Sequence, residues 1–317
     1  MPHIHSIYRY PIKGLSPEAL ARAALEPGAT IAGDRLYAIA NGPSGFDPAS
    51  PSYLSKTHFL MLMKNERLAS LRTTFDQESH VLTITSPSPH TSPSPLVGEG
   101  GVGGREGKSL PSTPASHLPT PTPNPSPTSL HSGARKRDPG GGGENKISAD
   151  LRSAAGRAAI ERFFAEFCAG ELRGPPKILQ APGHSFSDVA RKVVSIINLN
   201  SVAAIEDMVG APVHPLRFRG NVYVEGWPAW SELDLVGKEL KIIARAGAAG
   251  AMRPHARLKV VKRIVRCAAT NVDPLTGIRD LELPKALLRH LGHGDCGIYA
   301  EVVEAGEIAA GDEIEII

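Results

Sequence analysis

Apolar and polar positions alternate over short stretches through most of this chain, which predicts strands separated by turns. Ile4 to Tyr10, Asp34 to Ala40 and His80 to Thr85 are such stretches in the first part. The second half adds Lys192 to Ile197, Val213 to Val224, Leu240 to Arg245, Leu258 to Val272, Gly297 to Val303 and Asp312 to Ile317, with turn signals at Gly306 and Gly311-Asp312. Helical spacing interrupts them three times. Ile160, Phe163, Phe164 and Phe167 fall at i, i+3, i+4 and i+7, predicting a helix from Leu151 to about Ala169 capped by Ser148 or Asp150, with Cys168 a structural residue beside the stripe. Ser201 to Val209 is a short helix with Asn200 at its start and Gly210 at its end; Pro284 to Leu291 is another, with proline in its first turn. Many strands and few helices imply a mainly β protein of the α+β class, built as barrel-like domains rather than a doubly wound sheet. No Gly-x-Gly-x-x-Gly follows a strand and no phosphate-loop lysine motif is present, so a nucleotide fold is unsupported.

Composition interrupts this pattern once. The 60 positions 86–145 hold 12 Pro, 11 Gly, 10 Ser and 5 Thr, with no aromatic, Ile, Met or Cys. Such a segment cannot bury enough apolar area to offset its ordering entropy, and it reads as a disordered insertion in a surface loop. The organisation expected is a first domain begun by residues 1–85, an insertion over 86–146, a helix and linker over 147–176 completing the first domain, and a second domain over 177–317. The densest apolar run, Val193 to Leu199, is strand-sized, so no membrane span is expected. The start of the chain shows no secretory signal, and three scattered cysteines suit neither a disulfide framework nor a closed zinc site. A cytoplasmic setting is expected.

Charge narrows the chemistry. Net charge is +3, but Val213 to Cys267 carries 11 Lys or Arg against 4 Asp or Glu. An anionic ligand or a solvated basic face accounts equally for that surplus. A nucleic-acid module is not visible, and a compact phosphate-bearing small molecule suits the stretch better. Within it, Leu216 to Asn221 reads as a strand with Arg217, Arg219 and Asn221 on one face and Phe218 on the other. Two guanidiniums there need partners, either an anion or neighbouring carboxylates. Lys13 follows the first strand in a turn, and Gly33-Asp34-Arg35 opens the next. Cys267 ends the run Lys262-Arg263-Ile264-Val265-Arg266-Cys267, where three cations within five residues favour the thiolate that ligates metals; alone, the residue is equally a half-buried small hydrophobe. His184, His255, His290 and His293 lack paired metal spacing and read as structural. Ser185 and Asp188 beside His184 suggest a triad, but no nucleophile elbow surrounds the serine.

Taken in order, Tyr10-Pro11-Ile12-Lys13, Gly33-Asp34-Arg35, Arg217-Phe218-Arg219-x-Asn221, Arg266-Cys267, Asp273-Pro274-x-Thr276-Gly277 and Gly306-x-Ile308-x-x-Gly311-Asp312 resemble the MOSC family, named for the molybdenum cofactor sulfurase C-terminal domain. The first block resembles the N-terminal β-barrel domain that precedes MOSC domains in the amidoxime-reducing component and its bacterial relatives. The resemblance implies two β-barrel domains and a molybdopterin-type molybdenum cofactor. Cys267 matches the cysteine that holds the metal and would be catalytic. Lys13, Gly14 and Arg35, the helix-start residues Asn198, Asn200 and Ser201, then Arg217, Arg219 and Asn221, and finally Val265 and Arg266 match cofactor-holding positions. The chain departs from the family pattern at Gly14, where serine is frequent, and in lacking a proline shortly before Arg266-Cys267. No ferredoxin-like cysteine cluster and no pyridoxal-phosphate sulfurase domain is visible. The activity implied is reduction of small N-hydroxylated or other N–O compounds with electrons from a separate donor protein. The alternative is a non-enzymatic carrier of the cofactor or its sulfur.

Overall fold

The computed structural model describes residues 1–87, 145–245 and 254–317. The larger body is a closed barrel of seven strands. In chain order these are β1 (His3–Arg9), β9 (Val194–Asn198), β10 (Val222–Glu225), β11 (Glu239–Ile243), β12 (Arg257–Val265), β13 (Asp295–Glu304) and β15 (Glu313–Ile316). Around the ring the order is β10-β9-β13-β12-β11-β15-β1, and β1 pairs back to β10 to close it. β2 (Glu18–Leu20) extends β1 outward, while β3 (Arg22–Leu25) pairs with β14 (Gly306–Ala309). The first strand of the chain thus seals a barrel built otherwise from its last 124 residues, counted from Val194. Closure removes exposed edges, and the inward Ile4, Ile196, Val224, Leu258, Ile298 and Ile314 form one apolar core.

The second body has β4 (Ala38–Asn41) paired with β8 (Pro176–Leu179), and the antiparallel sheet β5 (Arg72–Phe75), β6 (Val81–Ser86) and β7 (Asn145–Asp150). Helix α1 (Ala154–Phe167) covers this sheet with the buried Ile160 and Phe164, and Phe163 and Phe167 pack partly against the same core. Its cap is Ser153, whose hydroxyl accepts from Gly156 N; Ser148 and Asp150 lie in β7 instead. A Cβ on Gly156 would stand 2.0 Å from Asp150 O, so the tight entry from β7 into α1 requires glycine. The expected insertion falls mostly outside the described residues. At its margins, Ser86 pairs with Asn145 and Thr85 with Lys146 across β6 and β7.

Helix α2 (Leu199–Val209) is capped by Asn198, so it begins two residues earlier than expected, and ends at Gly210 with φ +64°. Helix α3 (Leu283–Leu291) packs against α2. Three strand boundaries differ in ways that matter for the site. Asp34 and Arg35 precede β4 in a turn, and Arg35 has φ +51°. β12 stops at Val265, so Cys267 stands past the strand, at the start of a 3-10 turn over Ala268–Asn271. The segment read as a strand over Leu216 to Asn221 is a 3-10 turn, Pro215–Phe218, followed by Arg219 at φ +51°. Pro215 has no amide proton for a ladder, and the His214 ring accepts from Leu216 N at 3.2 Å, so a turn is favoured there. Arg217 and Arg219 therefore do not share a strand face.

Candidate cofactor cleft at Cys267

A cleft of about 230 Å³ opens where the two bodies meet. The second body contributes Lys13, Gly14, Arg35, Lys56 and the Met61–Met63 segment; the barrel contributes Arg219, Val265, Arg266, Cys267 and Tyr299. The Asp188 loop, between β8 and β9, forms a further edge. Cys267 is half-buried, whereas Cys168 and Cys296 are buried and their thiols are pushed up to about 12, chiefly by burial. Among the three cysteines only Cys267 can meet a ligand.

The floor is built on Tyr10, which is fully buried and pushed up to about 12 by desolvation, against the pull of Arg219 and Arg35. The Arg219 guanidinium lies 4.3 Å and that of Arg35 4.9 Å from the Tyr10 ring centre. Arg35 is ion-paired to Asp34 and donates to Arg219 O at 3.2 Å. Burial depresses Arg35, but Asp34 and Asp188 outweigh it and raise the group above its ordinary value. Arg219 donates to Leu15 O at 2.9 Å and has no carboxylate bonded to it; burial lowers it, with Tyr10 opposing. Arg266 donates to Cys296 O (2.7 Å) and Phe218 O (2.9 Å) and lies 5.2 Å from the Phe218 ring centre. Arg219 and Arg266 thus bond no carboxylate among the described residues, an arrangement that suits a bound anion.

Lys13 is buried, donates to Phe186 O at 2.9 Å and is paired to Asp188. Desolvation lowers its ammonium, with Asp188 opposing. Burial would raise Asp188, yet Lys13, Arg35 and Lys56 hold it well below the usual carboxylate range. Gly14 has φ +87°, a conformation in which any side chain is strained, so the turn as built calls for glycine where the family pattern often has serine.

Lys56 and Asp188 are the functional candidates that sequence reading missed. Lys56 sits in a 3-10 turn (Lys56–His58) and lines the same cleft as Cys267; desolvation lowers its ammonium but Cys267 and then Asp188 outweigh that, so it is raised. Nothing in the string Ser55-Lys56-Thr57 distinguishes it from a solvated turn lysine. Asp188 had appeared only as a possible triad member. The triad is not assembled: Ser185 donates to Asp34 O at 2.9 Å, and the His184 ring stacks 4.7 Å from that of Phe186.

Several expected site residues lie elsewhere. Arg217 borders the cleft but spends its guanidinium on Asp280 (2.7 and 2.6 Å), Asp273 (3.2 Å) and Asn271 O (3.1 Å). Asn221 is buried, bonding Ser195 Oγ (2.7 Å) and Tyr8 O (3.2 Å), which ties β9 to β1. Asn198, Asn200 and Ser201 do not line the cleft. The start of α2 is already filled by the chain's own carboxylate: fully buried Glu232 accepts from Asn198 Nδ2 (2.9 Å) and from Ser201 Oγ (2.8 Å), and Asn200 Nδ2 donates to Trp227 O (2.7 Å). A helix start occupied by an internal anion has no room for a second one. Glu232→Ala leaves these buried donors unmatched and is expected to cost about 2–4 kcal/mol. Urea unfolding of the two proteins measures the loss; a midpoint equal to wild type would refute this account.

The MOSC domain matches residues 181–315, and the MOSC N-terminal beta barrel domain matches residues 1–97. The chain belongs to the MOSC family. MOSC domains are associated with molybdenum-cofactor-binding proteins. No curated protein matches the chain. Among solved structures, the YuaD protein of Bacillus subtilis aligns with 100% of this chain and 96% of its own, at 13% identity and a TM-score of 0.38. YiiM from Geobacillus stearothermophilus aligns over 39% of this chain and 53% of its own, at 19% identity and a TM-score of 0.29. No helix among the described residues is long and apolar enough to cross a membrane.

The cleft can be tested for fit to such a cofactor. Among the described residues no group of three or more His, Cys, Asp or Glu is arranged to hold a metal. A metal at Cys267 must therefore bring its remaining ligands with it, as a pterin dithiolate does. The arginines without carboxylate partners, Arg219 and Arg266, suit an anionic tail. On both counts the residues fit.

Proposed function

We propose that this MOSC protein holds a molybdenum cofactor in the Cys267 cleft and reduces N-hydroxylated or other N–O compounds, with electrons from a separate donor protein. The observation that carries this reading is a half-buried thiol in a cation-rich cleft, with no group of three or more metal-ligating side chains among the described residues. The cofactor, when bound, supplies a metal centre that takes up two electrons and accepts an oxygen atom. The chain supplies the rest. Cys267 contributes one sulfur ligand, and Lys56 lines the same cleft. Arg35, Arg219 and Arg266 hold the anionic part of the cofactor, and the Lys13–Asp188 pair fixes the loop over it. Met61, Leu62 and Val189 form an apolar wall that limits water. The net change is cleavage of one N–O bond: a hydroxylamine-type substrate, two electrons and two protons give the amine and water.

The test is elemental analysis of the full chain purified from a molybdenum-replete host, followed by N–O reduction assays with a chemically reduced viologen as donor. About one molybdenum per chain and measurable amine formation are expected. Stoichiometric molybdenum with no turnover of any N-oxygenated compound, together with rapid release of the cofactor to an apo-enzyme, would assign the carrier role instead.

A further inference from the structure

Two sets of cations in the cleft have fixed partners. Arg35 and Arg219 share the buried Tyr10 ring as a floor, and Lys13 is buried against Asp188. Lys56 belongs to neither. It is half-exposed on a three-residue turn whose neighbours Ser55 and Thr57 are exposed, so it stands at the rim. It makes no ion pair with any described carboxylate. Asp188, an acid lining the same cleft, is already bonded to Lys13, so an anion entering beside Cys267 would meet a lysine with no carboxylate paired to it. A rim cation in the cleft of the reacting sulfur, with the apolar Met63 and Val265 in the same lining, fits a molecule with an apolar body and an anionic group.

We propose that Lys56 is an anion-recognition residue of this cleft, and that the preferred N–O substrates carry a carboxylate or comparable anionic group. The proposal rests on the reductase reading for the word substrate, but not for the recognition of an anion at Cys267.

Two measurements separate the two. In cofactor-free full-length protein, Cys267 displaces iodide from iodoacetate or iodoacetamide, forming a carbon–sulfur bond. The reagents are matched except that one is an anion. Their rate ratio reports the charge met by an incoming anion, because any change in thiolate fraction acts on both alike. Cys168 and Cys296 are buried and serve as internal controls. Lys56→Gln is expected to lower the iodoacetate-to-iodoacetamide ratio about fivefold, and Lys56→Arg to restore most of it. In molybdenum-loaded protein, the kcat/KM ratio of 4-carboxybenzamidoxime to benzamidoxime should fall about tenfold in Lys56→Gln at low ionic strength. An alkylation ratio that does not move overturns the proposal, whatever the reductase assay shows. So does loss of bound molybdenum and pterin in Lys56→Gln, which would place Lys56 among the cofactor-holding residues. A shifted alkylation ratio with no amidoxime turnover in wild type leaves anion recognition standing and removes the reductase reading.

Discussion

Cys267→Ala is expected to abolish molybdenum retention, and with it any N–O reduction, while leaving the fold intact. The expectation follows from how little else at the site can hold a metal. No other Cys, His or carboxylate cluster among the described residues offers a replacement set, and the two remaining cysteines are buried in packed cores. Without this thiol the cleft would have no cysteine left among the described residues to bond a metal. The structural cost is small. Cys267 is half-buried at the start of a 3-10 turn, and the turn's contacts are made by its backbone: Thr270 N and Thr270 Oγ1 both donate to Cys267 O at 3.0 Å. Removing the sulfur keeps both bonds, so unfolding midpoints should lie within about 1 kcal/mol of wild type. Metal analysis and thermal unfolding of the same preparation check this. Full occupancy in Cys267→Ala would remove the cysteine from its assigned role; a large loss of stability would make the result uninformative about the metal but would contradict the backbone account of the turn.

The sequence made the strand content and the thiol legible, but not the spatial partners. Period-two alternation located β1, β6, β9 and β13 to within a few residues, and the start but not the end of β12, because each has one face in a core. It could not reveal that β1 closes the C-terminal barrel, since pairing between Ile7 and Val222 is a contact over more than two hundred residues. The alternation over Leu216 to Asn221 was misleading. Apolar and basic residues alternate there because a 3-10 turn and a left-handed Arg219 send Arg217 and Arg219 to different partners. At the site, Lys13, Gly14, Arg35, Arg219, Val265, Arg266 and Cys267 line one cleft. Asn198, Asn200, Ser201 and Asn221 do not, because buried carboxylate and backbone partners take their hydrogen bonds. Lys56 carries no local signal at all, since its role depends on a sulfur 211 positions later.

Arg217→Ala should lower stability by roughly 3 kcal/mol, a drop in Tm of about 6–10 °C, and should loosen Cys267 as a consequence. The side chain is 1% exposed, and its fork meets both Asp280 oxygens while reaching Asp273 and Asn271 O. Those partners all follow Cys267 in the chain. Asn271 closes the 3-10 turn and its side chain accepts from Leu283 N at the start of α3, while Asp273 accepts from the amides of Leu275 and Thr276. Arg217 thus clamps the segment on which Cys267 is mounted, and acts on the metal site through position alone. Asp280 is 43% exposed and Asp273 19%, so water rescues part of their charge and the loss falls short of that for a fully buried pair. Burial would raise Asp273, but the Thr276 and Leu275 amides and Arg217 hold it below its ordinary value. A depressed folded pKa contributes stability that is present above the unfolded value near 4 and is lost as pH falls through the folded one, so the clamp is intact at neutral pH. Arg217→Lys keeps the charge without the fork and should recover less than half of the stability. If Arg217 instead gripped the cofactor, Arg217→Ala would lose molybdenum at unchanged Tm in the cofactor-free protein. The clamp requires the reverse, a fall in Tm with no cofactor present, accompanied by faster alkylation of Cys267 by neutral iodoacetamide.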